Sequence, residues 1–296
     1  MVNSEKPSLP GNSPEDEKKP TRQQRDISDF KEFVRLNLDT VKYSFKAEDD
    51  IYWKFYSHSG DSQIDPNSDE AVSIKSDYAR DLKVAADTLG PSSSGKVNIK
   101  EDHYWFHVIT NKGFDSREIG GRIYFNVDIS AAPTFMGNLA LALAAKGVNC
   151  HIKLPQSSKA IECVSRADKI VLYFNQSQEA EVLAVVENEH SLYSDKFTDV
   201  TPRFTSVLKD SNGALMEGVA FGEERSGWSF GELRSRALVG VLFSAKSKGL
   251  TIFDSSFNFE EELRESFEHL GIDPQNPSFN KSETDEFKLI KQRIAD

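Results

Sequence analysis

Cysteine is scarce in this sequence, which contains only Cys150 and Cys163 among 296 residues. Two cysteines are too few for a disulfide framework, and their spacing matches no metal-ligand motif. The sequence also lacks a run of roughly 18–20 apolar residues, so it predicts no membrane helix. Its first residues lack the apolar core of a secretory signal. These absences predict a protein of a reducing, cytoplasmic setting that needs no metal or other cofactor and has no membrane segment.

Positive charge is in deficit, because 36 basic side chains stand against 47 acidic ones and the formal net charge is −11. Binding to nucleic-acid phosphates requires surplus lysine and arginine, so this balance argues against a nucleic-acid-binding protein. It leaves room for a local basic pocket that takes one small anion. Hydrophobic residues make up 38 % of the chain, with 20 phenylalanines, which is enough for one large core or two small ones.

Three stretches of the chain differ in composition. Residues 1–25 are rich in Ser, Lys and Glu and contain several prolines, so they cannot bury enough apolar surface and are expected to form a disordered tail. The alternative is a tail that a secretion machinery or a partner recognises. Residues 26–95 carry apolar residues at three- and four-residue spacing, which predicts a helical N-terminal region ending near Gly90 and Pro91. Residues 96–296 make up the main domain.

The main domain is predicted to mix strands with helices. Aromatic and β-branched runs predict strands, while Ala/Leu-rich or amphipathic stretches predict helices. The strands are expected at 103–110, 122–127, 150–154, 169–174 and 215–221, and the helices at 131–146, 180–188, 230–246 and 259–270. Because this order does not repeat as strand–helix–strand, we expect an α+β fold with a mixed sheet and packed helices.

Two motif matches fail in their context. Residues 90–96 have the spacing of a phosphate-binding P-loop, but they follow a predicted helix and precede a strand, the reverse of the order that this motif needs. Residues 227–231 match the G-x-S-x-G nucleophile elbow, but a charged loop precedes them instead of an apolar strand. Ser229 is therefore expected to cap the following helix, with Glu232 completing a capping box. Serine hydrolysis through Ser229 remains a further alternative.

Several charged side chains could build an anion site. Lys153 lies between apolar neighbours of a strand, where desolvation would let it act as a base, although a lysine on a wet face of the sheet is an equally good interpretation. Arginines at strand and helix ends could bind phosphate through bidentate hydrogen bonds. These are Arg122, Arg166, Arg234 and Arg236. His103 and His107 alternate with Trp105 on one predicted strand, so one of them could donate a proton.

Between about residue 103 and residue 280, the sequence contains short motifs in the same order as those of a known protein family. They are residues 122–126, 139–142, 152–154, 166–168, 171–173, 201–205, 218–223, 229–234 and 271–277. With these motifs the sequence resembles the Hop-type type III effector domain of plant-pathogenic pseudomonads. The same domain occurs as a lyase in class V lanthipeptide and thioamitide biosynthesis. The first 100 residues carry no such resemblance.

The resemblance implies a phosphopeptide lyase. Such an enzyme eliminates phosphate from phosphoserine or phosphothreonine in a precursor peptide, which a partner kinase has phosphorylated, and leaves dehydroalanine or dehydrobutyrine. In this interpretation Lys153 is the base, and His107 or, failing it, His151 is the acid. Arg122, Arg166 and Arg234 bind the phosphate, while Tyr124 and Tyr173 orient it. Asp168 would hold one of the arginines by pairing.

The same resemblance leaves a second interpretation open. The chain could be a type III secreted effector that enters a host cell and acts by binding host or chaperone proteins. The Ser- and Pro-rich tail is the sequence feature that favours it. In the lyase interpretation the protein is cytoplasmic and acts beside its kinase and precursor peptide.

Overall fold

The computed structural model describes residues 20–37, 47–56, 64–92, 96–115, 117–118, 120–224, 228–282 and 286–295. Its α-helices are α1 (Arg22–Leu36), α2 (Ala47–Ile51), α3 (Asp69–Ser92), α4 (Ala132–Ala145), α5 (Glu179–Leu192), α6 (Phe230–Ser247), α7 (Phe259–His269) and α8 (Lys288–Gln292). A π-helical turn, Tyr52–Tyr56, continues α2. Its strands are β1 (Val97–Glu101), β2 (Trp105–Thr110), β3 (Gly120–Phe125), β4 (Cys150–Pro155), β5 (Ile170–Asn175), β6 (Ser206–Lys209) and β7 (Leu215–Glu224). The α+β prediction is confirmed.

The seven strands form one sheet in the order β1-β2-β4-β5-β3-β7-β6. Every strand pair in this sheet is antiparallel, so the sheet is not mixed in strand direction as expected, although the α+β class holds. Strands that are distant in sequence are therefore neighbours, and β4 lies between β2 and β5. Because side chains alternate between the two faces of a strand, this order decides which residues share a face.

One face of the sheet forms the main hydrophobic core. Ile152, Leu172 and Phe125 point to this face and are fully buried against α4 and α5. The Ala/Leu-rich sequence of α4 lets it pack closely there, with Pro133 in its first turn, where a missing N–H costs nothing. Burying each large apolar side chain stabilises the fold by roughly 1.5–3 kcal/mol.

The N-terminal helices contribute to two separate cores. The helix α3 packs on the main core, whereas α1 packs with α6 and α7 in a second cluster around Phe30 and Phe267. A capping box between Thr21 and Gln24 starts α1 at Arg22, inside the stretch expected to be disordered. The rest of that predicted tail, residues 1–19, lies outside the described residues.

Several element boundaries differ from the predictions. The helix α3 runs through Gly90 and Pro91 to Ser92 instead of ending before them. The strand β2 begins at Trp105, so His103 precedes it as an exposed residue and does not share a strand face with His107. The short strands β1 and β6 and the helix α8 carried no clear periodicity and were not predicted. The capping box of Ser229 and Glu232 at the start of α6 is confirmed, with Ser229 N donating to Glu232 Oε2 at 3.1 Å.

Candidate functional site

The second face of the sheet carries a small cavity of about 70 Å³. The π-helical turn after α2 and the start of α6 cover this part of the face with aromatic rings, among them Tyr56 and Phe230. The cavity is lined by Tyr52, Tyr56, Trp105, Arg122, Tyr124, Lys153, Asp168, Val171, Tyr173 and Ser229. Five of the residues that the sequence singled out therefore meet here: Lys153, Arg122, Tyr124, Tyr173 and Asp168.

Lys153 is the central cation of this cavity. Its position on β4 is opposite His107 on β2 and opposite Val171 on β5. The half-buried ammonium lies 4.8 Å from the centre of the Tyr173 ring and 5.4 Å from that of Trp105. Among the described residues, no carboxylate lies within ion-pair distance of its Nζ. Lys153 is thus held by aromatic faces, which attract a cation without neutralising it.

Arg122 lies across Tyr173 from a different strand. Its guanidinium stands over the Tyr173 ring, with Cζ 4.7 Å from the ring centre. Nε and Nη2 both donate to the carboxylate of Glu224, the second bond at 2.6 Å. Both partners are largely buried, so this bidentate pair is charge-assisted and geometrically rigid. The guanidinium also hydrogen-bonds to the Tyr124 hydroxyl, which links it to a second side chain of the cavity.

Arg166 and Asp168 form a second bidentate pair at the edge of the cavity. Arg166 Nε and Nη2 each donate to Asp168 at 2.8 Å, as the sequence had suggested for one of the arginines. Asp168 lines the cavity, whereas Arg166 lies behind it with Cζ 4.6 Å from the centre of the Trp53 ring. The buried Nη1 of Arg166 has no hydrogen-bond partner among the described residues. A buried, unsatisfied guanidinium nitrogen is costly, so Arg166 is held here by its pair with Asp168 rather than by a full set of hydrogen bonds.

Three tyrosines give the cavity neutral hydroxyl groups. Burial raises the pKa of Tyr52, of Tyr56 and of Tyr124 above that of an exposed tyrosine. Their phenols therefore stay protonated at neutral pH and can donate hydrogen bonds. Tyr56 Oη donates to Tyr124 Oη at 3.2 Å, which links the π-helical turn to β3.

The predicted acids, His107 and His151, lie beside the cavity rather than in its lining. Their rings stack at 5.0 Å, and His107 Nδ1 is 2.8 Å from His151 Nε2. His107 Nε2 is 2.8 Å from Asp102 Oδ2. On the other side, the His151 ring stacks on Tyr173 with 5.6 Å between ring centres. Burial, followed by the nearby charges of His107 and Lys153, lowers the pKa of His151 to about 4, so this imidazole is neutral near pH 7.

Arg234 is not among the side chains that line the cavity. It is fully buried behind Phe230, with Cζ 3.7 Å from the centre of that ring. Its Nε and Nη2 donate to the carbonyl of Pro277 at 3.0 and 2.8 Å. Burial lowers its pKa to about 9. Arg234 thus anchors the segment around Pro277 to α6, because a main-chain carbonyl takes the bonds that a phosphate would need.

The arrangement around Ser229 does not favour a serine hydrolase. Ser229 lines the cavity, but Asp254 accepts hydrogen bonds from Thr251, and His269 is exposed at the end of α7. Among the described residues no hydrogen bond joins Ser229 to a histidine. The part of the chain described by the structure also contains no group of three or more His, Cys, Asp or Glu side chains that could hold a metal ion. Within the same part, no helix is both long and apolar enough to span a bilayer.

Larger cavities lie elsewhere on the molecule. One of about 460 Å³ lies beside α1 and is lined by Arg22, Asp26 and Ser206, among others. Two more, of about 450 and 680 Å³, lie next to Glu223 and next to Asn175. None of the predicted site residues lines any of these three. The chemistry is therefore concentrated in the smallest of the four cavities.

Comparison with known proteins shows the family of this chain. Residues 99–279 match the model of the HopA1 effector protein family. The chain belongs to this family. The HopA1 match contains every predicted site residue, as well as Asp102 and Glu224. Tyr52 and Tyr56 come from the π-helical turn before it, so this part of the cover lies outside the matched region.

Two solved structures of effector proteins share the fold. One is the effector protein from Pseudomonas syringae pv. tomato strain DC3000, with 18 % sequence identity, a TM-score of 0.56, and coverage of 88 % of this chain and 99 % of that one. The other is from Pseudomonas syringae pv. syringae strain 61, with 16 % identity, a TM-score of 0.57 and the same coverage. At these identities the likeness shows the fold alone. No protein with a curated description matches the chain.

The sequence reasoning missed several residues of the site. Asp102 and Glu224 each hold a predicted residue in place, and Tyr52, Tyr56 and Trp105 form walls of the cavity. The alternation of Trp105 and His107 was a usable signal for one wall. The other contacts depend on pairing between distant segments, which no local pattern reveals.

Proposed function

We propose that this HopA1-family chain is a phosphoserine/phosphothreonine lyase, which eliminates phosphate from a precursor peptide that a partner kinase has phosphorylated. The observation that carries the proposal is the placement of Lys153. Its ammonium has no carboxylate partner among the described residues and shares a cavity of about 70 Å³ with Arg122 and tyrosine hydroxyls. The resemblance to the lyases of class V lanthipeptide and thioamitide biosynthesis supports the same activity.

The chemistry requires a base, an anion site and an acid. Lys153, in its neutral form, takes the α-proton of the phosphorylated residue, and the electron pair of that C–H bond forms the double bond between Cα and Cβ. The bond between Cβ and the phosphate oxygen breaks, and this oxygen takes a proton from the acid. Without that proton a phosphate dianion would have to leave as a trianion. We assign this proton to His151, which stacks on Tyr173 and hydrogen-bonds to His107.

The electrostatics of the cavity suit a small dianion. Three cations and two carboxylates surround it: Lys153, the Arg122–Glu224 pair and the Arg166–Asp168 pair. Both arginines are neutralised by their carboxylates, so Lys153 carries the surplus charge once it has taken the α-proton, while the phosphate leaves. The phenols of Tyr52, Tyr56 and Tyr124 add donors that carry no charge. A cavity of this size admits the phosphate group of a residue, while the peptide remains outside.

Mass spectrometry of phosphopeptides incubated with the purified protein tests the proposal. Elimination removes about 98 Da, the mass of phosphoric acid, whereas hydrolysis would remove about 80 Da. We expect the loss of about 98 Da with the native protein and none with Lys153→Ala. Lys159→Ala is the matched control, because Lys159 also lies over an aromatic ring but pairs with Glu162. Elimination by Lys153→Ala at the native rate would remove Lys153 as the base.

A second candidate function is favoured by the family itself. The matched family is one of effector proteins, and both similar structures are of effector proteins from Pseudomonas syringae. In this account the chain is secreted into a host cell and acts by binding host or chaperone proteins. The genes next to its own distinguish the two candidates: a kinase with a small Ser/Thr/Cys-rich peptide favours the lyase, and a small acidic chaperone favours the effector.

A further inference from the structure

The side chains of Asp102, His107 and His151 form a hydrogen-bonded row on the same sheet face as Lys153. Asp102 Oδ2 is 2.8 Å from His107 Nε2, and His107 Nδ1 is 2.8 Å from His151 Nε2. The other carboxylate oxygen, Oδ1, accepts from the main-chain N–H of Tyr104 at 2.8 Å and of Trp105 at 2.6 Å. The backbone at the start of β2 therefore holds Asp102 in one orientation, which fixes the position of the carboxylate that His107 contacts.

The hydrogen bonds of the row decide which ring nitrogens of His107 and His151 carry protons. The Asp102 carboxylate is ionised, because its hydrogen bonds from Trp105, His107 and Tyr104 lower its pKa to about 2. It can only accept, so His107 must carry its proton on Nε2. In the neutral row, His107 Nδ1 is then the acceptor and His151 Nε2 the donor. This leaves the lone pair of His151 on Nδ1.

Uptake of one proton rearranges the row without breaking it. A proton binds to His151 Nδ1, and the bond between His151 Nε2 and its hydrogen breaks as that hydrogen binds to His107 Nδ1. His151 ends neutral, with its hydrogen on Nδ1, and His107 becomes an imidazolium beside the Asp102 carboxylate. The reverse sequence releases a proton from His151 Nδ1. Two imidazolium rings cannot keep the bond between them, so the row stores one proton.

We propose that Asp102, His107 and His151 form a proton relay in which Asp102 is a positioning residue, His107 stores the proton and His151 delivers it to the leaving phosphate. The proposal rests on the proposed function, and it orders the two histidines that the sequence left as alternatives. His151 lies beside the cavity, stacked on Tyr173, which lines it. Partial burial of His151, together with the nearby charge of Lys153, disfavours a charge on that ring, so the positive charge rests beside Asp102.

The charged and titratable groups around the relay come from four segments. Lys100 on β1 is opposite His107, Lys153 on β4 is opposite it on the other side, and Tyr173 on β5 is opposite His151. Asp102 follows β1. Two of these neighbours are cations that oppose a charge on His151, whereas Asp102 favours one on His107. These neighbours therefore favour the stored proton on His107 rather than on His151.

The substitution Asp102→Asn separates these roles. The amide oxygen can still accept from Tyr104 and Trp105, while the amide nitrogen donates to His107 Nε2. Both histidines must then carry their protons on Nδ1, and His107 can no longer be charged without losing the bond from this amide nitrogen. Asp128→Asn is the matched control, because Asp128 is also exposed and accepts from a main-chain N–H, of Ser130 at 2.8 Å, but contacts no histidine.

The test combines nitrogen-15 NMR of the histidine rings with elimination kinetics on one phosphopeptide. In the native protein we expect protons on Nε2 of both rings at high pH, and a charged His107 on acidification. In Asp102→Asn we expect both rings protonated on Nδ1, and a kcat lowered about 100-fold at neutral pH. Unchanged tautomers in Asp102→Asn would overturn the relay. Switched tautomers with native kcat and pH profile would overturn its part in the reaction. A native protein that eliminates no phosphate would instead overturn the proposed function, which the NMR does not depend on.

Discussion

The ammonium of Lys153 and the ring of Tyr173 lie 4.8 Å apart on neighbouring strands of an antiparallel sheet. The same ring also stacks with Arg122 and with His151. One aromatic side chain thus contacts the proposed base, the proposed phosphate-binding Arg122 and the end of the proposed proton relay. Because the ring attracts cations without accepting a proton, it can position Lys153 and leave it free to react.

Two substitutions of Tyr173 should separate the contribution of its aromatic ring to activity from that of its hydroxyl group. Tyr173→Phe keeps the aromatic face and should retain most of the elimination activity. Tyr173→Leu removes the cation–π contacts, each of which stabilises by about 0.5–2 kcal/mol, and should lower kcat by about tenfold or more. Steady-state kinetics of the two variants would check this. Equal rates for the leucine and phenylalanine variants would show that the ring does not position Lys153.

The Arg122–Glu224 pair should stabilise the fold at the expense of anion affinity. Glu224→Gln leaves the buried guanidinium without its counter-charge, so the free energy of unfolding should fall by about 3–5 kcal/mol. The same change raises the net positive charge of the cavity, so added inorganic phosphate should restore more stability to the variant than to the native protein. Urea unfolding with and without phosphate measures both effects.

A matched pair provides the control for Glu224→Gln. Glu187 pairs with Arg293 at 2.8 Å, but both side chains are about one-quarter exposed and lie away from the cavity. Glu187→Gln should reduce the stability much less and should show no extra response to phosphate. An identical phosphate response in both variants would contradict the assignment of Arg122 to the anion site.

Arg234 should affect stability rather than substrate binding. Arg234→Lys cannot keep the forked bonds to the Pro277 carbonyl and leaves buried polar groups without partners, so the free energy of unfolding should fall by about 1–3 kcal/mol. The KM for a phosphopeptide should stay near the native value, because the side chain does not line the cavity. Thermal unfolding and steady-state kinetics test the two parts. A native melting temperature with a raised KM would return Arg234 to the phosphate site.

Glu223 should make the stability depend on pH. Burial raises its pKa to about 7, although Asn280 N donates to its carboxylate at 2.8 Å. Between pH 4.5 and 7 the folded protein therefore binds more protons at this group than the unfolded chain does. Its contribution to stability is present at low pH and is lost as the pH rises through this range, a decrease of roughly 1–3 kcal/mol.

The substitution Glu223→Gln isolates this effect. A neutral amide accepts the Asn280 bond at every pH, so the variant should lack the loss of stability between pH 4.5 and 7. Chemical unfolding at several pH values compares the two proteins. The same pH dependence in both would show that Glu223 does not carry it.

The fold class and half of the cavity could be predicted from local patterns. Strand alternation alone puts Lys153 and His151 on one face of β4, and Arg122 and Tyr124 on one face of β3. The lysine and the arginine among them suggest an anion site, because these residue types are rarely buried unless they are paired. The structure brings the two pairs together through Tyr173 on β5.

The remaining contacts depend on the order of the strands and on helices from the N-terminal region. The strand β3 lies between β5 and β7, neither of which is next to it in the chain, so no local signal predicts the pairing of Arg122 with Glu224. Tyr56 reaches the cavity only because α2 packs on α6. Arg234 lies at a helix start that suits a phosphate site, but the segment around Pro277 folds back and takes its hydrogen bonds.

The most direct test of the central claim follows the α-hydrogen of the substrate. A phosphoserine peptide with deuterium on Cα is incubated with the native protein, and the mass of the product is determined by mass spectrometry. If Lys153 removes the α-proton, phosphate and deuterium leave together, and the rate falls with the heavier isotope. A product that has lost phosphate but kept its deuterium would be the result of hydrolysis and would contradict the account.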